Sequence, residues 1–190
     1  MKTVTALRER ARGRVEVELD GAPWRTLPTD VVVRGGLVVG KKLERETARA
    51  LARELRRSRA LHDAVRVLRH RDLSRRALAR RLPAPGRQDA LAALEQSGIL
   101  DDRRAAVGRA TALAGRNYGD AAIRFRLEQE GFAVEDVLEA IHGLEPELER
   151  ANRLAERGRT PRWLAARGFD VLSPESAPHV PGTPEVADDW

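Results

Sequence analysis

The stretch "IRFRLEQEG" (residues 123–131) places Ile123, Leu127 and Gly131 four residues apart, and "LARRLPAPG" (78–86) repeats the same spacing. Apolar residues spaced by four lie on one face of an α-helix. Glycine readily takes the left-handed conformation that ends many helices, and we expect Gly131 to do so. The two stretches therefore predict the same short helix and its terminating glycine, used twice.

A third stretch, "WLAARGF" (163–169), keeps Leu164 and Gly168 at this spacing but has Thr160 where the first apolar residue belongs. A longer helical pattern precedes each copy, and a shorter one follows the first two. A three-helix unit cannot bury its apolar face alone, so adjacent copies are expected to stack in an elongated array. We predict tandem three-helix repeats within residues 44–171, at about 58–98, 100–144 and 146–171, the last one incomplete.

Residues 1–43 have a different pattern, and residues 3–39 are predicted to form strands of a small sheet. Val15, Val17 and Leu19 alternate with charged residues, and the dipeptide Asp20-Gly21 that follows is typical of a tight hairpin turn. Leu7, Trp24 and Leu27 are expected on the hidden face. The fold class predicted is mainly α, with a small N-terminal β element.

Beyond Leu43 the apolar spacing becomes helical, with one stripe from Leu43 to Leu55 and a second from Leu61 to Leu68. Asp72 or Ser74 is expected to cap the next helix, and Asp101 or Asp102 a later one. Residues 172–190 contain four prolines and are predicted to form a flexible tail.

Charge is distributed unevenly along the chain. The net charge is +6, but residues 44–82 carry 13 basic and 5 acidic groups, whereas residues 127–190 carry 6 basic and 14 acidic groups. A positive field of this kind attracts nucleic-acid phosphates, and salt weakens the attraction. The asymmetry favours a polyanionic partner for the first two thirds of the chain.

Arginines recurring at three- and four-residue steps are the candidates for this surface, because guanidinium groups bind phosphates or carboxylates through paired hydrogen bonds. The alternative is an ordinary solvated helix face, partly neutralised by Glu46, Glu54 and Asp63. The candidates that face DNA or a protein–DNA filament are Arg49, Arg53, Arg56, Arg57, Arg69, Arg76, Arg80, Arg81, Arg124 and Arg126. A second, weaker patch comprises Arg103, Arg104, Arg109, Arg116, Arg124 and Arg126.

Several kinds of site find no support. The chain has no cysteine, its four histidines have no metal-ligand spacing, and no nucleophile–base or paired-carboxylate arrangement can be argued. We expect no catalytic residue, metal site or cofactor. Trp163, Phe125, Phe132 and Phe169 are predicted to pack in the core. Without an apolar signal or a membrane-length segment, the protein is expected to be soluble and cytoplasmic.

Three stretches, in this order and spacing, resemble the RecX family of bacterial regulatory proteins. They are "LVVGKKLERE" (37–46), "GILDDRRAA" (98–106) and "YGDAAIRFRLEQEGF" (118–132), and the resemblance extends from about Val4 to Phe169. It implies tandem three-helix repeats that bind in the groove of the RecA–DNA filament. It also implies modulation of RecA, usually by inhibiting ATP hydrolysis and strand exchange, and hence a role in recombination, DNA repair and the SOS response.

The resemblance and the charge pattern together predict a non-enzymatic regulator. Its partners would be the RecA filament and DNA, the latter reached through the filament or bound directly and weakly. We expect a monomer without membrane contact. One alternative left open is a protein that binds DNA directly through tandem helical modules, one helix of each entering a groove. Another is a scaffold that binds a different protein through its acidic C-terminal third.

Overall fold

The structure is a computed structural model that describes residues 2–170. It divides into two compact units, the first formed by residues 2–72 with 78–100 and the second by residues 73–77 with 101–170. The proline-rich tail predicted for residues 172–190 lies outside the described residues. Helices predominate and the strands lie in the N-terminal part, so the predicted fold class is confirmed.

A four-stranded antiparallel sheet forms the N-terminal part of the first unit. Its strands are β1 (Lys2–Arg10), β2 (Arg14–Leu19), β3 (Ala22–Pro28) and β4 (Lys42–Leu43), in the order β3-β2-β1-β4. Asp20 and Gly21 connect β2 to β3 with φ values of 51° and 79°. The predicted hairpin is therefore confirmed, since a tight turn of this kind needs two positive φ values. Val15, Val17, Leu19 and Leu27 are buried, with Leu7 and Trp24 packed against them.

The expectation of strands throughout residues 3–39 is wrong for Thr29–Arg34, which forms the short helix α1. A run of three valines is compatible with either a strand or a buried helix, so periodicity alone does not separate them. Here Asp30 lies in the first turn of the helix, where a carboxylate is favourable. Val31 and Val32 are buried in the sheet's core.

Both apolar stripes after Leu43 belong to one 24-residue helix, α2 (Arg45–Leu68). The longer helix expected to open the first repeat, at about residues 61–71, is therefore only the second half of α2. No glycine or proline interrupts the segment, so the helix continues. Its first half packs Leu51 and Leu55 on the sheet, and its second half buries Ala60 and Ala64.

Two shorter helices follow, α3 (Arg75–Arg81) and α4 (Arg87–Gln96), and α4 packs against α2. The boundary between the units falls within α3, after Ala77. Gly86 has φ 83°, but it lies at the start of α4 and not at the end of α3, so the prediction that it terminates the earlier helix is wrong. A Cβ there would lie 2.6 Å from the carbonyl of Arg56. Only glycine satisfies both requirements without strain. The apolar residues buried by α3, α4 and their connection are Leu78, Leu82, Ala90, Leu91 and Leu94.

Five helices form most of the second unit: α5 (Asp102–Ala114), α6 (Asp120–Glu130), α7 (Val134–His142), α8 (Glu147–Glu156) and α9 (Pro161–Ala166). Asp101 caps α5 by accepting the N–H of Arg104 at 2.9 Å. Gly131 ends α6 with φ 89°, as predicted. The α5–α7 core contains Ala106, Ala110, Leu113, Ile123, Leu127, Phe132 and Val137.

Phe125 does not belong to this core, and the prediction that it packs inside is wrong. Its side chain lies on the outer face of α6 and is 63% exposed. Ile123 and Leu127 define the buried face of α6, and Phe125 lies midway between them in sequence. Phe125 is two residues from both Ile123 and Leu127, so it is rotated by about 200° around the helix axis from each of them and lies on the solvent side.

The first backbone N–H group of two helices in the second unit is hydrogen-bonded in the same way. The N–H of Arg75, the first residue of α3, donates to Asp102 at 2.7 Å, and the N–H of Asp120, the first residue of α6, donates to Glu147 at 2.6 Å. Each acceptor lies 27 residues after its donor. The first N–H groups of a helix have no partner within it, so a carboxylate from a later helix stabilises each start.

The start of α9 differs. Thr160 caps the helix by accepting the N–H of Trp163 at 3.3 Å, and the first helical residue is Pro161. Proline has no N–H group and its φ already suits a helix, so this position requires no acceptor.

Ser74 joins two helices of the second unit. Its hydroxyl accepts the N–H of Ala77 at 3.1 Å, which confirms it as the α3 cap, and donates to the carbonyl of Glu130 at 2.7 Å. Because Ser74 is only 1% exposed, water cannot replace either bond.

We expect Ser74→Ala to lower the free energy of unfolding by about 2 kcal/mol in urea denaturation. Ser97→Ala is the control, since exposed Ser97 donates only to the Leu94 carbonyl. Equal losses in both variants would contradict this role.

Candidate nucleic-acid interface

The first group of candidate arginines lies on α2. Arg49, Arg53 and Arg56 follow one another at steps of four and three, so they share a face, and all three are exposed. No ion pair involves any of them within residues 2–170. Arg57 is different, because it is less exposed and pairs with Glu54 at 3.6 Å. The α2 face formed by Arg49, Arg53 and Arg56 therefore carries three charges without a carboxylate partner.

Three further candidates belong to the first unit. Arg69 lies at the end of α2, and Arg80 and Arg81 lie in the last turn of α3, where positive charge is favourable beside the free carbonyls. All three are exposed and have no ion pair among the described residues. Their positions suit contact with an anion, but the helix ends also account for them.

The remaining candidates, Arg76, Arg124 and Arg126, lie in the second unit. The aliphatic stem of Arg76 packs close to Gly131, where a Cβ would lie 3.2 Å from it. Arg124 pairs with Glu128 at 2.9 Å, one turn along α6. Arg126 instead stacks over the ring of Tyr118, with its guanidinium carbon 4.3 Å from the ring centre.

Much of the second predicted patch is neutralised by the protein itself. Arg103 pairs with Glu139, and Arg104 lies 3.6 Å from Asp101. Arg109 donates from Nε and Nη2 to Glu130 at 2.6–3.0 Å, and this hydrogen bonding raises the pKa of the Arg109 guanidinium above its ordinary value. Arg103 and Arg109 link α5 to α7 and α6, and each of these ion pairs leaves fewer N–H groups for an external anion.

A concave site in the first unit was missed from the sequence. A cleft of about 610 Å³ lies between the β1–β2 turn, β3 and α2. The basic side chains that line it are Arg12, Arg14, Arg25, Arg59 and His62, with Asp30 and Asp63 as the acidic ones. We call this the arginine cleft. Asp63 also pairs with Arg66 at 3.4 Å, so positive charge predominates.

The arginine cleft has no sequence signature of its own. Arg12 and Gly13 form the turn with φ values of 62° and 63°, which brings Arg12 and Arg14 to one end of the sheet. Arg59 comes from α2, more than 40 residues later. An excess of basic residues in 1–43 was the only available signal, and it did not indicate which of them converge.

Arginine side chains on α2 and in the arginine cleft can bind phosphate or carboxylate groups through charge-assisted hydrogen bonds. Within residues 2–170 no group of three or more His, Asp or Glu side chains is placed to hold a metal ion. Among the described helices, none combines the length and apolar character of a membrane span. The arrangement suits binding of an anionic partner.

No protein-family model matches the chain. The regulatory protein RecX of Chromohalobacter salexigens is 35% identical over 126 residues, which cover 57% of this chain and 83% of that protein. The chain belongs to the RecX family. It is therefore a member of a family of regulatory proteins.

The RecX fold is also found among solved structures. A crystal structure described as regulatory protein RecX superimposes with a TM-score of 0.75 at 20% sequence identity. The match covers 89% of this chain and 95% of the other. It extends the similarity at the level of fold well beyond the 126 residues aligned by sequence.

Proposed function

We propose that this RecX-family protein regulates a RecA recombinase by binding the RecA–DNA filament. The α2 face carries the proposal, because Arg49, Arg53 and Arg56 are exposed together and no carboxylate within residues 2–170 neutralises them. Family membership supplies the regulatory role, and the family's known target supplies the filament. The protein would act as a monomer in the cytoplasm, without catalysing a reaction.

The proposed mechanism is electrostatic and mechanical. Arginines of the α2 face, with Arg69, Arg80 and Arg81, bind phosphates of the DNA or acidic groups of the recombinase. A protein bound to neighbouring recombinase subunits changes the packing between them, and ATP hydrolysis depends on that packing. Inhibition of hydrolysis and of strand exchange is the expected direction, with consequences for recombination and DNA repair.

The helices after residue 44 are proposed to be tandem three-helix units. Two observations support this: α3 and α6 begin with the same carboxylate contact, and the donor–acceptor separation is 27 residues in both. The apolar stripes of α3 and α6 are likewise related by a constant offset, since Leu78 and Leu82 correspond to Ile123 and Leu127.

The test is the ATPase rate of a bacterial RecA on single-stranded DNA, with increasing amounts of this protein. The triple variant Arg49→Gln, Arg53→Gln, Arg56→Gln is expected to need about tenfold more protein for the same inhibition. Binding to the RecA–DNA filament, measured at several salt concentrations, gives a second readout. For this variant the slope of log affinity against log salt concentration should fall in magnitude by roughly three, one for each lost phosphate contact.

A matched control has the same loss of charge elsewhere. The variant Arg103→Gln, Arg104→Gln, Arg124→Gln removes three arginines that already pair with carboxylates, so inhibition should stay close to that of the unmodified protein. Equal effects of the two variants would mean that only net charge matters. Absence of any effect of the unmodified protein on RecA would contradict the proposed function.

A further inference from the structure

Three arginines and two aromatic rings alternate on the second unit. Arg126 lies over the ring of Tyr118 at 4.3 Å, and Arg167 lies 4.9 Å from the ring centres of both Tyr118 and Trp163. Arg159 then lies over Trp163, again at 4.9 Å. The order of the five residues is Arg126, Tyr118, Arg167, Trp163, Arg159. We call them the arginine–aromatic row.

Stacking leaves the guanidiniums at the two ends of the row, those of Arg126 and Arg159, able to bind an anion, whereas Arg167 already donates from Nη1 to the carbonyl of Arg116 at 3.3 Å. A guanidinium over a ring uses its flat face, while its N–H groups point outward in its own plane. Arg126 and Arg159, at the two ends of the row, are exposed and have no ion pair among residues 2–170. Neighbouring Arg103, Arg109 and Arg124 instead direct their N–H groups at carboxylates. The row thus holds planar cations in place without neutralising them.

Most of the row lies in a part of the chain where the sequence predicted no binding residue. Residues 127–190 are predominantly acidic, with 6 basic and 14 acidic groups, and the sequence predicted binding elsewhere. Two of the row's three arginines, Arg159 and Arg167, come from this acidic segment, as does Trp163. Because this segment is acidic, it opposes extended contact with a large anionic surface, and the short cationic row favours a narrow polyanion.

We propose that the arginine–aromatic row binds single-stranded nucleic acid directly. The N–H edges of the arginines hydrogen-bond to phosphates, and the outward faces of Arg126 and Arg159 stack against unpaired bases. Guanidinium planes and aromatic rings are the groups on which proteins stack such bases. A duplex hides its base faces, so it can use only the phosphate contacts. This activity goes beyond the proposed function, because it requires no recombinase.

Lysine variants separate stacking from charge. In fluorescence anisotropy with a labelled oligo(dT) of about 15 nucleotides, Arg126→Lys with Arg159→Lys should weaken binding about tenfold, because lysine keeps the charge but has no plane to stack. The control is Arg103→Lys with Arg124→Lys, whose affinity should stay unchanged. The proposal is wrong if neither pair weakens binding, or if both do so equally.

Trp163 reports on the row itself. With Trp24→Phe and Trp190→Phe as background, oligo(dT) should quench the fluorescence of Trp163, and a duplex of equal length should quench it far less. Quenching by oligo(dT) should persist in the variant in which Arg49, Arg53 and Arg56 are all glutamine. This result would separate the two proposals, because that variant is expected to lose RecA inhibition while the row still binds single-stranded DNA. If the lysine pair lowers the unfolding temperature while affinity is unchanged, the row only fastens α9 and the proposal is overturned.

Discussion

Replacing Gly119 by alanine is expected to lower the free energy of unfolding by about 3 kcal/mol. Gly119 has φ −78°, a value that any residue adopts, so the substitution introduces no backbone strain. Its added Cβ would instead overlap the backbone of Gly168 and Phe169. The N–H of Gly119 donates to the carbonyl of Arg167 at 2.9 Å, and the turn after α9 must move away to make room. The start of α6 and the end of α9 are expected to separate locally.

Gly108→Ala is a matched control with the opposite expected sign. Gly108 lies within α5, and a Cβ there would meet nothing within 4 Å. Alanine in a helix interior is more favourable than glycine by roughly 0.5–1 kcal/mol, so this variant should be more stable. Urea denaturation followed by circular dichroism measures both. If both variants changed the free energy of unfolding by a similar amount, the close approach of the Gly168 backbone would not explain why position 119 requires glycine.

Arg150→Met is expected to cost about 4 kcal/mol, because it removes one partner of a buried ion pair. Arg150 is 5% exposed, yet it carries a full charge inside the second unit. Its Nε donates to the carbonyl of Glu145 at 3.0 Å, and its Nη1 donates to the carbonyl of Tyr118 at 2.9 Å. Nη2 forms an ion pair with Asp120, at the start of α6. Methionine preserves the volume but leaves all three acceptors without this donor.

Arg153→Met, one turn along α8, provides the comparison. Arg153 is exposed and donates from Nη1 and Nη2 to Glu145 at 2.6 and 2.5 Å. These hydrogen bonds lower the pKa of Glu145, so the pair stabilises the fold at neutral pH and loses that effect as pH falls through the lowered pKa. Solvent screens an exposed pair, and thermal unfolding at neutral pH should barely change. If Arg153→Met were as damaging as Arg150→Met, burial would not explain the importance of Arg150.

Local pattern was enough to predict much of the fold. The spacing of Ile123 and Leu127 predicted α6, Gly131 predicted its end, and Asp20-Gly21 predicted the hairpin. These features depend on residues close together in sequence, where a helix or turn imposes a fixed spacing. The short helix at Thr29–Arg34 was missed because a run of three valines is compatible with either a strand or a buried helix.

Contacts between distant segments were not accessible from the sequence. Arg150 looks like any other arginine of α8, and only the structure shows that Asp120 and two carbonyls surround it. The arginine cleft and the arginine–aromatic row likewise combine residues from separate elements. For the candidate arginines, the sequence identified exposed positions on α2, but it could not show that Arg103 and Arg109 are already paired within the protein.

Pro161 has a consequence for how such a chain can be shortened or extended. At the starts of α3 and α6, the first backbone N–H donates to a carboxylate of a later helix. A truncation between that donor and its acceptor would therefore leave the N–H without its hydrogen-bond partner. A helix that opens with proline makes no such demand at its first residue, because proline has no N–H group.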